Sequence, residues 1–177
     1  MKSRNKLLIV DGYNVLRSGQ RYIHMRDVED WTHEKFNKVR EALISDVAAF
    51  AGSEYRSTIV FDAKDNQESA GKQESIGGVR IVFSPFGVSA DEVIEKMAHD
   101  ARGRNVEVLV VTSDAAIQDT VFGDGVDRMS ANGFGLEADS LDEDAADEQR
   151  SATRRKATVA DRLDAATLEK LKALRDR

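Results

Sequence analysis

Three short apolar runs in this chain each stop at an aspartate. Leu7 to Val10 ends at Asp11, Thr58 to Phe61 at Asp62, and the run from Val108 through Ser113 at Asp114. A fourth run, Val79 to Phe83, is followed after a short loop by Asp91 in Ser89-Ala90-Asp91-Glu92. In a parallel sheet such runs bring their last residues together along one edge, the edge at which ligands bind. Four carboxylates gathered there repel one another unless a cation neutralises them. The pattern therefore points to a hard divalent cation and to phosphate chemistry.

The stretches between the runs alternate in character. Residues 33–50 place Phe36, Val39, Leu43, Val47 and Phe50 at three- and four-residue spacing, which predicts an amphipathic helix with Thr32 as its N-cap. Residues 90–102 carry an apolar face of Ala90, Val93, Ile94, Met97, Ala98 and Ala101 behind a capping box of Ser89 and Glu92. A short helix over 115–122 presents Ile117, Val121 and Phe122. Strands are expected at 6–10, 57–61, 79–83 and 106–112. The polar stretch 63–78, with Gly71, Gly77 and Gly78, reads as a mobile loop. Alternating strands and helices argue for an α/β doubly wound sheet.

Composition narrows the chemistry. The 177 residues contain no cysteine, so there is no disulfide, thiolate metal site or cysteine nucleophile, and the three histidines (His24, His33, His99) have no ligand spacing. The basic residues 2–6 precede only four apolar residues, too few for a secretory signal, and no span is long enough for a membrane. A cytoplasmic protein without a membrane partner is expected. The net charge of −6 is unevenly distributed: residues 131–148 hold seven acids and no base, whereas 149–177 hold nine bases and four acids. Such a chain does not attract polyanions as a whole, and any polyanion binding must come from local patches or from a docking partner. A folded domain over 1–132, an acidic then basic flexible linker over 133–160 and a C-terminal helix over 161–177 describe the organisation. The helix expected after Ser130 is interrupted by Asn132-Gly133-Phe134-Gly135.

Each aspartate also has an ordinary reading. Asp11 begins a tight turn with Gly12, Asp62 ends a strand, Asp91 complements a helix dipole, and Asp114 caps the next helix. For any one of them that reading suffices. That all four are incidental while three end the central strands is harder to accept. Oxygen-only ligation suits Mg²⁺ or Mn²⁺, which keep several waters, orient a nucleophilic water and stabilise charge on a phosphoryl group.

The string Leu8-Ile9-Val10-Asp11-Gly12-Tyr13-Asn14-Val15 resembles the opening signature of the NYN domain, a branch of the PIN-like nucleases. Val60-Phe61-Asp62-Ala63, Val82-Phe83 with the block Ser89 to Lys96, and Val111-Thr112-Ser113-Asp114 resemble its YacP-like subfamily. So do Phe122-Gly123, Gly125, Arg128, Ser130 and Ala131 downstream. The resemblance implies a PIN-like three-layer α/β fold with a mainly parallel central sheet flanked by helices. It also implies a metal-dependent endoribonuclease that leaves 5′-phosphate and 3′-hydroxyl ends by way of a metal-activated water. Positions Asp11, Asp91 and Asp114 would build the metal site with Asp62 nearby, and Asn14 would orient a water or a phosphate oxygen. Arg17, Ser113 and Arg128 are the further candidates for RNA or phosphate contact. Arg21 is a weaker one, and Tyr13 is expected to pack rather than stack on a base. Relatives that act on translating ribosomes make single-stranded mRNA the expected substrate and the ribosome a candidate partner.

Rival readings fare worse. A haloacid-dehalogenase-like phosphatase needs a second aspartate where Tyr13 stands. A receiver domain needs paired acids before the first strand ends, and a dinucleotide or P-loop enzyme needs a glycine-rich cradle after it. An EF-hand loop is also absent. The serious alternative is an NYN module that grips RNA or ribosomes without cutting.

Overall fold

Every apolar run that ends on or leads to an aspartate is a strand of one sheet in the computed structural model, which describes residues 6–25, 33–120, 123 and 125–162. The elements follow in the order β1 (Lys6–Asp11), α1 (Gly12–Ser18), α2 (Gln20–Ile23), α3 (His33–Ala51), β2 (Tyr55–Phe61), β3 (Gln73–Ile76) and β4 (Val79–Phe83). They continue with α4 (Ala90–Arg102), β5 (Glu107–Val111), α5 (Ala115–Thr120), β6 (Val126–Met129) and α6 (Ala131–Arg162). The six strands lie in the order β3-β4-β2-β1-β5-β6, all parallel except β3, which returns antiparallel along β4. From β1 the chain builds one half of the sheet through β2 and β4, then crosses back to add β5 on the other side of β1. The order reverses at β1, which makes its C-terminal end the switch point where open α/β sheets take their ligands.

Both faces of the sheet are covered, as continuous apolar strands require. On one face Leu8, Val10, Ile59, Phe61, Ile81 and Val111 pack under α1, α3 and the start of α6, through Val15, Leu43, Val47 and Phe134. On the other, Ile9, Val60, Val108 and Val110 pack under α4 and α5, through Ala90, Ile94, Ala98 and Ile117. The expected apolar faces of α3 and α4 are the buried ones, and the Ser89–Glu92 capping box is formed. Among the described residues no helix is long and apolar enough to cross a membrane.

Four local expectations change. Gly12 does not make a loop: it is the first residue of α1, and a Cβ there would stand 2.4 Å from Phe61 Cε1. Glycine is needed for space, because α1 leaves β1 directly against β2. Within the polar stretch 63–78 lies β3, whose four residues are all exposed, turned back by Gly77 and Gly78 at φ 59° and 82°. Two positive φ values in succession make the tight turn that suits a hairpin. The short strand β6 was not anticipated either.

The fourth change concerns the interruption expected at Asn132-Gly133-Phe134-Gly135, which is absent: α6 runs unbroken from Ala131. Ser130 caps it, its Oγ accepting from Gly133 N at 3.0 Å, and Phe134 is fully buried with its ring edge-on to Phe50. The glycines serve close packing, since a Cβ on Gly135 would stand 3.3 Å from Arg21 Cβ. The chain divides into two compact units after Ala138. Residues 139–162 of the second are helical, where an irregular linker was expected, and residues 139–145 are exposed. Thr32, Val121, Phe122 and the helix expected beyond residue 162 lie outside the described residues.

Candidate active site

The C-terminal edge of the sheet opens into a cleft of about 450 Å³ whose lining includes Asp11, Asp62, Asp91 and Asp114 with Asn14 and Arg17. These residues come from four separate places in the chain. Asp11 is the last residue of β1, Asp62 and Asp114 follow β2 and β5, and Asp91 sits in the first turn of α4. The sheet register sets the spacing: Asp11 pairs with Val60 of β2, and Val10 with Val111 of β5.

Asp11 is the most constrained of the four, with 6% of its surface exposed. Thr112 donates its hydroxyl to Oδ2 at 3.1 Å. The backbone N–H of Asn14 faces the carboxylate without closing the hydrogen bond of a helix cap. Burial pushes its pKa up to about 6; the Thr112 hydroxyl and the Asn14 backbone N–H pull it down, and Asp91 and Asp114 push it further up. The Asp91 pKa is also raised, by burial first and then by Asp114, Asp62 and Glu95, against a smaller opposing pull from Lys64. The carboxylates thus feel one another across the cleft.

The ordinary roles of the other acids are real and coexist with this one. Asp114 caps α5, its Oδ1 accepting from Ala116 N at 2.8 Å. Asp62 accepts from Lys64 N at 3.0 Å and Ala90 N at 3.4 Å, joining the loop after β2 to the start of α4. Each spends part of its lone-pair capacity on backbone and keeps the rest.

Asn14 is a tie between distant segments: its Oδ1 accepts from Ser113 N at 2.8 Å, fixing α1 to the turn after β5. With Oδ1 committed, what Asn14 offers the cleft is its amide NH₂, a donor. Arg17 lines the cleft and lies 5.7 Å from the Tyr13 ring centroid. Tyr13 packs between Phe36 and Phe61, as expected of a packing residue.

Two sequence candidates are not brought to the cleft. Ser113 Oγ accepts from Ala131 N at 2.9 Å and so supports the start of α6. Arg128 is exposed on β6 and is not part of the lining. Arg21 is also corrected: its guanidinium is held by Asp46 through two contacts of 2.8 and 3.0 Å, and it is not part of the lining. The lining adds Lys64, Asp65 and Asn66, which reading the sequence for strand-terminal acids passed over. Asn66 accepts from Glu68 N at 3.0 Å and so shapes the loop that carries Lys64 and Asp65. The signal for Lys64 was its place two residues beyond a strand-terminal acid.

The donor set fits a hard cation, being all oxygen, mutually repelling and partly desolvated. Among the described residues, however, no three acidic or histidine side chains stand close enough to form a ready-made ion cage. An ion taken up here would rest on one or two carboxylates at a time, with waters and substrate oxygens completing its shell, the habit of Mg²⁺.

The family model for the YacP-like NYN domain matches residues 8–176. The uncharacterized protein YacP of Bacillus subtilis (strain 168) is 28% identical over 137 residues, covering 77% of this chain and 76% of that protein. The crystal structure of Rae1 (YacP) from Bacillus subtilis superposes with a TM-score of 0.65 at 26% identity, covering 97% of this chain and 95% of that one. A point-variant structure of the same protein gives 0.59 at 25% identity, over 93% and 89%. With its sheet order, its flanking helices and its aspartate-lined edge, the chain belongs to the YacP-like NYN domain family, a nuclease-type family.

Proposed function

We propose that the chain is a metal-dependent endoribonuclease that hydrolyses internal phosphodiesters of single-stranded RNA and leaves 5′-phosphate and 3′-hydroxyl ends. One observation carries this reading: a buried aspartate at the switch point of the sheet, raised in pKa and faced by further carboxylates. Such an arrangement is costly to keep in a fold unless a cation and a phosphate use it. Mg²⁺ or Mn²⁺ would be held among Asp11, Asp91 and Asp114, on one or two of them at a time, with Asp62 beside them. The ion supplies charge stabilisation at the phosphoryl group and a lower pKa for water.

The chain's own groups do the rest. The Asn14 amide donates to a non-bridging phosphate oxygen, and Arg17 and Lys64 bind the phosphates on either side. A water between the carboxylates attacks phosphorus in line with the 3′-oxygen; the new P–O bond forms as the P–O3′ bond breaks, and the 3′-oxygen takes up a proton. The 2′-hydroxyl is not the nucleophile, so a 2′-deoxy residue at the cleavage position leaves the chemistry intact. Only Arg17 and Lys64 balance the acids of the cleft, so free RNA is poorly attracted, and mRNA presented by the ribosome is the substrate we favour.

The spacing of the acids, which form no ready-made ion cage among the described residues, favours one second reading, a module that binds RNA or ribosomes without cutting. Cleavage of labelled single-stranded RNA, free and on translating ribosomes, with Mn²⁺ or Mg²⁺, separates the two. Metal-dependent cuts with 5′-phosphate ends, lost in Asp11→Asn/Asp91→Asn, establish the nuclease. Binding without cutting in either setting establishes the module, and 2′,3′-cyclic phosphate ends refute the proposed mechanism.

A further inference from the structure

A second cleft, of about 390 Å³, opens at the opposite edge of the same sheet, between the N-terminal ends of β1, β2 and β4 and the C-terminal end of α4. Arg56, Arg80 and Arg104 line it from three separate segments. The register explains how two of them meet. Thr58 pairs with Arg80, and Arg56 lies two residues before Thr58 on the same strand, so all three project from one face. Val60, next in that alternation, packs with Ile94 and Ala98 of α4. The arginines therefore stand where the cover given by α4 ends, and Ala101 leaves room beside them.

The ordinary reading is a solvated sheet edge, on which long side chains spread into water. Two observations oppose it. Such an edge mixes signs and pairs its charges, yet none of these three guanidiniums forms an ion pair among the described residues, in a chain of net charge −6. The single acid of the lining, Asp100, has its carboxylate 3.6 Å from His99 Nδ1. Arg104 is instead fixed by donating its Nε to the Asp100 carbonyl at 3.1 Å, which leaves its outer nitrogens available. The remaining wall combines the apolar Leu7, Met97 and Val106 with the small polar Ser57 and Thr58, and one outer nitrogen of Arg80 points at Met97 Sδ at 4.0 Å.

A planar fork of guanidinium donors beside a soft apolar wall matches a phosphate joined to a flat, polarisable ring. We propose that this cleft binds a nucleoside phosphate, its phosphate on Arg56, Arg80 and Arg104 and its base against Met97 and Val106. The same chemistry is offered by a free nucleotide and by one nucleotide of an RNA strand. Leu7 and Asp11 are four residues apart on β1, roughly 13 Å at the rise of a strand, so a strand held here lies within reach of the acidic edge. The proposal stands independently of cleavage.

Its test is calorimetric titration of the full chain in metal-free buffer with adenosine 5′-monophosphate, inorganic phosphate and a short single-stranded RNA. Saturable binding of the monophosphate, weakened at least about tenfold in Arg56→Gln/Arg80→Gln at unchanged melting temperature, is expected from the loss of charge-assisted contacts. Arg104→Gln, in a loop, gives the same readout should the double variant fold poorly. RNA binding that is tighter than the monophosphate and equally sensitive assigns the site to a strand; equal affinities assign it to a free nucleotide. Inorganic phosphate binding as well as the monophosphate, binding undiminished in the variants, or no saturation at millimolar ligand overturns the proposal.

Discussion

Asp11 and Asp46 are buried to nearly the same extent, 6% and 8% exposed, in opposite company. Asp46, on α3, receives the Arg21 guanidinium through two contacts and the Tyr22 hydroxyl at 2.8 Å. Burial and the Asp46 carboxylate beside it push the Tyr22 phenol far up, so it stays a neutral donor. Asp11 receives one hydroxyl, faces the Asn14 backbone N–H, and has only like charges, Asp91 and Asp114, across the cleft. One carboxylate is balanced within the fold; the other is left for something the fold does not contain. A buried charge with its countercharge in place is architecture, whereas one lacking it is a site.

Exchanging the two roles gives the largest effects. Asp11→Asn removes the charge at the switch point while keeping the shape, and RNA cleavage is expected to fall by about three orders of magnitude, several kcal/mol of transition-state stabilisation. Initial rates at saturating Mn²⁺ measure it. Asp46→Ala leaves the Arg21 guanidinium without its carboxylate, and the fold is expected to lose about 3 kcal/mol in urea denaturation. The surviving folded fraction should cut at the wild-type rate. Equal losses of activity from both variants would abolish the distinction between the two aspartates.

Stability against pH sharpens the comparison. The Asp11 pKa lies near 6 in the folded protein against 3.8 for the ordinary group. Between those values the folded state binds more protons than the unfolded one, so stability falls as pH rises. In metal-free buffer the fall attributable to this group is about 2 kcal/mol between pH 4 and pH 7. Asp11→Asn removes that dependence and should exceed the wild type by about 1–3 kcal/mol at pH 8, while being no more stable at pH 4. A saturating divalent cation should cancel the advantage by stabilising only the wild type. Thermal melts at the two pH values, with and without Mn²⁺, test every part of this. A variant less stable at pH 8 would mean that the Thr112 bond outweighs the buried charge.

How much of this was legible in the sequence differs by residue. The strand-terminal acids were visible because a parallel sheet aligns strand ends whatever their neighbours do. The helix after β1 was not, because α1 begins at Gly12 without a side-chain cap, and its glycine answers a contact with Phe61 from a strand 49 residues further on. Gly135 misled for the same reason: it reads as a helix breaker but is a packing position, decided by Arg21 from elsewhere, beside a Phe134 ring set against Phe50. Arg21 looked free because its partner, Asp46, is 25 residues away on another helix. The arginine cleft was hidden because nothing local distinguishes an arginine that faces a cavity from one that faces water. Pattern reveals what period and edge determine; contacts between segments stay invisible until the fold is known.

Asn14 belongs to both sides of the comparison and gives the smallest expected effect on stability. Its Oδ1 bond to Ser113 N is an architectural contact like those of Asp46, yet it fixes the turn that carries Asp114 opposite Asp11. Asn14→Ala removes one partly exposed hydrogen bond, a loss of about 1 kcal/mol. It also removes the amide donor proposed for the phosphate and loosens the turn after β5. Cleavage should therefore fall about a hundredfold, more than the stability loss accounts for. Asn14→Asp keeps an acceptor for Ser113 N but replaces the donor with a further negative charge, so the fold should hold while cleavage is lost. If Asn14→Asp cuts normally, the residue is only a tie, and phosphate recognition must rest on Arg17 and Lys64.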